Sequence, residues 1–542
     1  MKIDKKQAEL LAFLALYLFA LFYWSLPYQE RNLPYGEYDA MSHFQVADFI
    51  SQNDASFVRL PPYIDLRYWH DNKFRPHTLW YPPTFHSSLA AMQTLGGDRV
   101  LGVFLMNTIL NTFILITLFL FMRNFFGFLP GMLSSLLLIF SPRDIMPYLW
   151  GQWPERFGYA FVPLIIYCYY KYNMSFDEKP LYICLTSILL IMNLLVHPMV
   201  FFHSLIALAA TFIFLSIKDK KIKVNFKHVG VCAVIFIAIF FMFPLQTLNM
   251  LPRLGINALR SSEIGEAAPS AGADFSRIFR WSFNPEQFQG SVPASYFSFS
   301  EMHGLWTLPL LLLGVLAALL RRKDGDLLLL AWLVSLYIVL HRDAFGMQNL
   351  IHRSLSASAH IFVPLAVLGM LAIPELIKLK NPIKGWAKYP LAAVFVYMAL
   401  SVNMAQASQL INKDTYNNPL TTLTQDQFDA AEWIMRNAPL DSNVSMLGVP
   451  HTPEFLSATA KNIRWFAAAS QHVTRFYYLY PQDEDSIRSH MEKDYIMLDY
   501  YIPLGLNMQE LVSSMQEIEE KRLSNQTLVF NKNTIRVYKL ES

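Results

Sequence analysis

The sequence is poor in charge. Asp, Glu, Lys and Arg make up only 16% of its 542 residues, whereas soluble domains carry roughly a quarter. The formal net charge of +3 is too small for a chain that binds nucleic acid through its phosphates. Cysteine is scarce too. Cys168, Cys184 and Cys232 all lie in apolar runs, and no pair has zinc-site spacing. They read as small core residues rather than as a disulfide framework or a thiolate metal centre. Internal repeats and low-complexity tracts are missing, which sets aside solenoid architectures. The first apolar run has no small-residue cleavage site and ends in Phe22-Tyr-Trp24-Ser-Leu-Pro27. That predicts an uncleaved first helix with an aromatic interfacial anchor, not a signal peptide.

What the chain does have is apolar length, with 54% hydrophobic and 15% aromatic residues. Runs long enough to cross a bilayer fall near 7–26, 100–122, 125–141, 156–172, 180–196, 199–217, 229–250, 304–320, 326–341, 353–376 and 386–405. The expected fold is therefore mainly α, a polytopic transmembrane bundle of about eleven helices. The short connections give its orientation. With the N-terminus inside, the internal gaps hold Lys171 and Lys179, Lys218 to Lys223 with Lys227, Arg321 to Lys323, and Lys378, Lys380, Lys384 and Lys388. This is a consistent positive-inside pattern. The external segments are then 27–99, 142–155, the tight His197-Pro198 turn, 251–303, 342–352 and the tail from about 406. Two long loops and a terminal region on one face predict a working surface there.

Charge returns in the tail, and apolar residues become intermittent. Phe428, Ala431 and Ile434 have helical spacing, Val444–Gly448 and Asp494–Leu498 read as short buried strands, and 527–540 reads as a hairpin around Asn531-Lys-Asn533. The expectation is a membrane module over 1–405 and a small extracytoplasmic α/β domain over 406–542.

The richest polar segment follows the first helix: Glu37-Tyr-Asp39-Ala-Met-Ser-His43. A helix starting there would put Asp39 and His43 on one face. Asp39 would serve either as a cap or as a catalytic carboxylate, and Glu37 with Asp39 could offer oxygens to a hard cation. His86 falls in the first turn of a second short helix, after Pro82-Pro83. The second external loop gathers Arg143, Asp144, Gln152, Glu155 and Arg156 beside aromatics, more than anchoring requires. His197 marks an external helix end. Arg353 enters the membrane from outside, at a depth suited to a bidentate hold on a phosphate.

Taken in order, Tyr38-Asp39-Ala-Met-Ser-His43, Trp80-Tyr-Pro-Pro-Thr-Phe-His86, Trp150-Gly-Gln-Trp-Pro154, His197-Pro198 and the tail segment Phe428-Asp-Ala-Ala-Glu-Trp-Ile434 resemble the GT-C glycosyltransferase superfamily over most of the chain. The resemblance implies transfer of a sugar from a polyprenyl-phosphate-linked donor to an extracytoplasmic glycan, lipid or protein. Asp39 would be the base, with His43 beside it. Glu37, His86, Arg143, Asp144, Gln152, Glu155, Arg156, His197 and Arg353 would bind substrate, the arginines meeting the donor phosphate in an inverting displacement. Loop 251–303 would close over substrate. The implied partners are the donor lipid, the bilayer and the acceptor, with no nucleic acid. The tail carries no Trp-Trp-Asp-like motif and the second loop no Asp-x-Asp, so a metal-independent single-sugar transferase is expected rather than an oligosaccharide-transferring enzyme, with Mg or Mn not favoured. Two other functions compete. A flippase of lipid-linked sugars would need polar mid-membrane groups, of which Asn107, Asn111, Asn193 and His203 are the main ones. A non-catalytic scaffold would leave Asp39 dispensable.

Overall fold

Prolines and glycines set where the helices begin and end. The computed structural model describes residues 4–29, 33–36, 39–53, 84–176, 178–242, 276, 278, 294–345, 351–377, 381–412, 423–439, 442–448, 465, 466, 468–471, 476–478, 484–505 and 507–541. Helices α1 (Lys5–Gln29), α2 (Asp39–Gln52), α3 (Thr84–Gly96), α4 (Leu101–Phe126) and α5 (Phe128–Ile139) open the chain. They are followed by α6 (Pro142–Leu149), α7 (Trp153–Tyr159), α8 (Val162–Met174), α9 (Leu181–Val196), α10 (Pro198–Asp219) and α11 (Phe226–Phe240). Gly127, with φ 96°, separates α4 from α5. Proline occupies the first turn of α6, α7, α8 and α10, where its missing N–H costs nothing. His197 stands extended (φ −159°, ψ 118°) between α9 and α10, so the two expected spans are separate helices that meet at a one-residue joint.

Among the described residues, five helices are long and apolar enough to cross a membrane: Lys5–Gln29, Leu101–Phe126, Pro198–Asp219, Ile351–Leu376 and Gly385–Ile411. Shorter apolar helices are Phe128–Ile139, Leu181–Val196, Phe226–Phe240 and Thr307–Arg321. The helices Thr307–Arg321 and Ser358–Leu376 form the tightest seam. A Cβ at Gly314 would lie 1.9 Å from the Leu365 carbonyl oxygen, and one at Gly369 1.9 Å from that of Leu310. Small residues that bring backbones together are the usual means of joining helices in lipid.

Ion pairs gather where α1 begins and where α4, α10 and Thr307–Arg321 end: Glu9–Arg123 at 2.6 Å, Lys218–Asp324, and Arg321–Asp326 at 2.6 Å. At the opposite end, α2, α3, α6 and α7 pack over the bundle. A run of hydroxyl bonds from Tyr28 through Thr108 and Tyr148 to Tyr35, each 2.8 Å, ties the segment before α2 to α1, α4 and α6.

The C-terminal part is an α/β layer. Strands β1 (Val444–Leu447), β2 (Phe476–Tyr478), β3 (Tyr495–Asp499), β4 (Thr527–Lys532) and β5 (Ile535–Lys539) form one sheet in the order β2-β1-β3-β5-β4. The first three strands are parallel, and β5 runs antiparallel to both β3 and β4. The buried strands β1 and β3 and the hairpin β4–β5 fall where the sequence predicts them. The helix Gln425–Asn437 is capped at both ends of its first turn by Thr424 and Gln427, a reciprocal capping box. Helix and sheet share the core with the membrane bundle: Phe428, Ala431 and Trp465 belong to the same apolar cluster as Phe44 and Phe104.

Candidate active site

Asp39 is the first residue of α2, where an acid favours the positive helix end. Gly151 fixes that end. It has φ +84°, and a Cβ there would lie 1.9 Å from the Ala40 nitrogen, so the Trp150-Gly-Gln-Trp153 turn lies directly against the start of α2. The Asp39 carboxylate accepts a hydrogen bond from Arg353 Nη2 at 2.9 Å. The two side chains are 14% and 25% exposed. This pair is within reach of solvent, whereas the polar groups behind it are not.

Glu155 lies behind it, fully buried, with the Tyr159 hydroxyl donating to Oε1 at 3.2 Å. Burial pushes the Glu155 carboxyl above the ordinary range. Arg353 and Arg342 pull it down, and Asp39 adds to the rise. Arg342 is itself buried, and that burial brings its guanidinium down to about 10 despite Glu155. Two carboxylates and two guanidiniums thus share one field.

Arg143 is a second buried cation. Its guanidinium stacks on the Tyr296 ring at 4.4 Å, and its Nε and Nη1 have no hydrogen-bond partner among the described residues. Burial lowers its pKa. The Tyr296 hydroxyl donates to the His352 carbonyl at 2.8 Å, which brings Arg143 alongside the Arg353 turn.

Asp144 and Arg156 point away from this cluster and into the protein. Arg156 Nη1 donates to Asp144 Oδ1 at 2.7 Å, its Nε donates to Asn111 at 3.2 Å, and its guanidinium lies 4.7 Å from the Trp24 ring centre. His360 Nε2 is 3.0 Å from the same Asp144 oxygen. Burial works to raise Asp144, but Arg156 and His360 outweigh it and hold the carboxyl below its usual range. The sequence expectation that Arg156 meets a donor phosphate therefore faces a competing arrangement, because its charge is already matched.

His43 turns into the contact between α2 and α3, where its Nδ1 is 2.8 Å from His86 Nε2. Both rings are buried, and Trp153 lies 5.9 Å from His43. The two expected histidines are thus one interior pair. Gln152 precedes α7, and its side-chain oxygen has no partner among the described residues. His197 sits at the α9–α10 joint beside α3, whose Thr84 hydroxyl donates to the Leu195 carbonyl at 3.1 Å. Glu37 lies outside the described residues, as does nearly all of 251–293.

Sequence reasoning passed over Arg342, Tyr159, Tyr296 and His360. Three of them carried a signal. Arg342 stands in the same segment between long helices as Arg353, Tyr159 is one helical turn after Glu155, and His360 is two turns after Arg353. Tyr296 lies in a segment with no periodicity to read.

Among the described residues, no group of three or more His, Cys, Asp or Glu could hold a metal ion. The site is defined by arginines and two unequal carboxylates at one end of a helical bundle.

The fold is shared with solved membrane-protein structures. ArnT from Cupriavidus metallidurans in the apo state superposes with a TM-score of 0.54 at 11% identity, over 99% of this chain and 98% of that one. The same protein bound to undecaprenyl phosphate gives 0.53 at 11% identity, over 98% and 97%. The arabinofuranosyltransferase AftD from Mycobacteria gives 0.48 at 13%, over 98% of this chain and 40% of that one, a likeness too low to argue from. At these identities the match concerns the fold. No curated protein matches by sequence. The chain belongs to a family of unknown function, DUF6541, whose model covers residues 4–445.

Proposed function

We propose that this protein transfers a sugar from a polyprenyl-phosphate-linked donor to an extracytoplasmic acceptor, with Asp39 as general base. The observation that supports this reading most is the Asp39–Arg353 pair, partly open to solvent at the bundle end, with Arg342 and Arg143 buried next to it. Undecaprenyl phosphate bound in the ArnT structure of the same fold supports a polyprenyl-phosphate-linked donor.

Asp39 would take the proton from the acceptor hydroxyl as its oxygen attacks the anomeric carbon. The bond from that carbon to the donor phosphate oxygen breaks, and its electron pair goes to the phosphate. Arg353 and Arg342 would meet that charge, fixed in place before it forms. Attack and departure on opposite faces of the sugar would invert the anomeric centre. Buried Glu155 would lie in the field of the same two guanidiniums.

In this reading residues 1–405 form a multi-pass membrane module and 406–542 an extracytoplasmic domain. The N-terminus would be cytoplasmic, an orientation the lysine-rich connections support. The test is sugar transfer by purified protein in lipid from a panel of polyprenyl-phosphate sugars, wild type beside Asp39→Asn, with and without chelator. Transfer that is lost in the variant supports the reading, and chelator-insensitive transfer supports a metal-independent reaction. Transfer that survives in a folded Asp39→Asn protein removes Asp39 from the role of base. Flipping of lipid-linked sugar without transfer would favour a transporter.

A further inference from the structure

Helix α2 carries the proposed base at its first residue, and both of its ends are held by residues from the C-terminal part of the chain. At the start, Trp465 Nε1 donates to the Gly36 carbonyl at 3.0 Å, three residues before Asp39. The Trp465 indole is fully buried and meets Phe44 of α2 edge-on at 5.9 Å. Toward the other end, Asp48 is fully buried and accepts from Arg99 Nε at 2.9 Å, Arg99 Nη2 at 2.7 Å and Gln93 Nε2 at 2.7 Å. Gln471 Nε2 also donates to Asp48. Arg99 continues across the junction. It donates to the Ala469 carbonyl, lies 3.6 Å from Glu432 and stacks 5.4 Å from Phe428.

We infer that Trp465 and Arg99 are positioning residues for Asp39, so that the C-terminal domain is a working part of the active site. The inference rests on Asp39 being the base. Docking alone needs none of this polar wiring. An apolar patch would attach the domain, whereas hydrogen bonds to a backbone carbonyl and a buried carboxylate fix the rotation and height of one particular helix. Errors near 1 Å in a catalytic group can cost on the order of 100-fold in rate, so slack at Gly36 is expected to be felt at Asp39.

The variants are Trp465→Phe, which keeps an aromatic ring and removes the N–H, and Arg99→Lys, which keeps the charge and loses the fork. Each is made in the full chain and compared with wild type by transfer kinetics, thermal melting and amide exchange of residues 39–52. The expected result for Trp465→Phe is a kcat reduced about 10-fold or more. Donor KM and melting temperature should stay unchanged, with faster exchange confined to α2. Arg99→Lys should show the same split, with the exchange increase centred on the Asp48 end. A kcat within about twofold of wild type, or a loss of activity that only follows a lower melting temperature, overturns the inference. If wild type transfers nothing from any donor, the transferase reading fails. Exchange then still decides the wiring: no local change in α2 in either variant overturns it, and a change confined to α2 upholds it.

Discussion

Asp144 and Arg156 show how little a residue type says about its use. Both are charged groups close together in the chain, yet each is spent on the other. Removing one would leave the second buried and uncompensated, so Asp144→Ala is expected to lower stability by about 3–5 kcal/mol, read as a fall in melting temperature in detergent or lipid. Arg342 behaves differently, since it is held near carboxylates without a dedicated pair. Arg342→Met should leave stability nearly unchanged and weaken donor binding by about 10- to 100-fold, measured as a Kd for polyprenyl phosphate. Asp39→Asn should cut turnover by at least about 100-fold with donor binding retained. The sequence could flag all of these as polar groups on one face. It could not tell which were already neutralised, because Asn111, Trp24 and His360 come from segments far away in the chain.

At the scale of elements, the legible features were local ones. The prolines before His86, the β4–β5 hairpin (its turn at Asn533-Thr534, two residues later than the sequence suggested) and the His197-Pro198 joint are all set by a few neighbouring residues. What escaped was how elements meet. Gly151 reads in sequence as one glycine in an aromatic turn, but in three dimensions it is the surface on which α2 begins. Gly151→Ala must adopt φ +84° with a side chain and also displace Ala40. It is therefore expected to abolish transfer and lower the melting temperature, whereas Gly97→Ala, also at positive φ but with nothing near its Cβ, should cost far less. The sheet offers a titration test. Asp499 is buried at the end of β3, accepting from Gln427 and from the Tyr501 amide, and burial raises it to about 6. A group raised in the fold stabilises it fully below its unfolded value near 4 and less as pH climbs through about 6. The domain should therefore lose on the order of 1–3 kcal/mol between pH 4 and pH 7. Asp499→Asn should flatten that dependence, as followed by amide exchange of β1 and β3.

At the scale of the whole molecule, the fold class was legible because a bilayer leaves so few options: long apolar helices on one side of the account, charged connections on the other. The sharing of one core between the C-terminal helix and the bundle was not, since nothing in the periodicity of 425–437 announces that Phe428 will meet Arg99. Sidedness is open to a direct check. Lys521 is 69% exposed, and a cysteine placed there should react with an impermeant thiol reagent in intact cells. Labelling only after lysis would reverse the orientation.

The seam of Gly314 and Gly369 bears on traffic through the protein. At that crossing two main chains are pressed together without side chains between them, which leaves no gap there for a hydrocarbon chain. A donor with an isoprenoid tail, as proposed above, would have to enter away from that crossing. The doorway for such a cargo is to be sought around the rest of the perimeter, with the glycine pair as its fixed post.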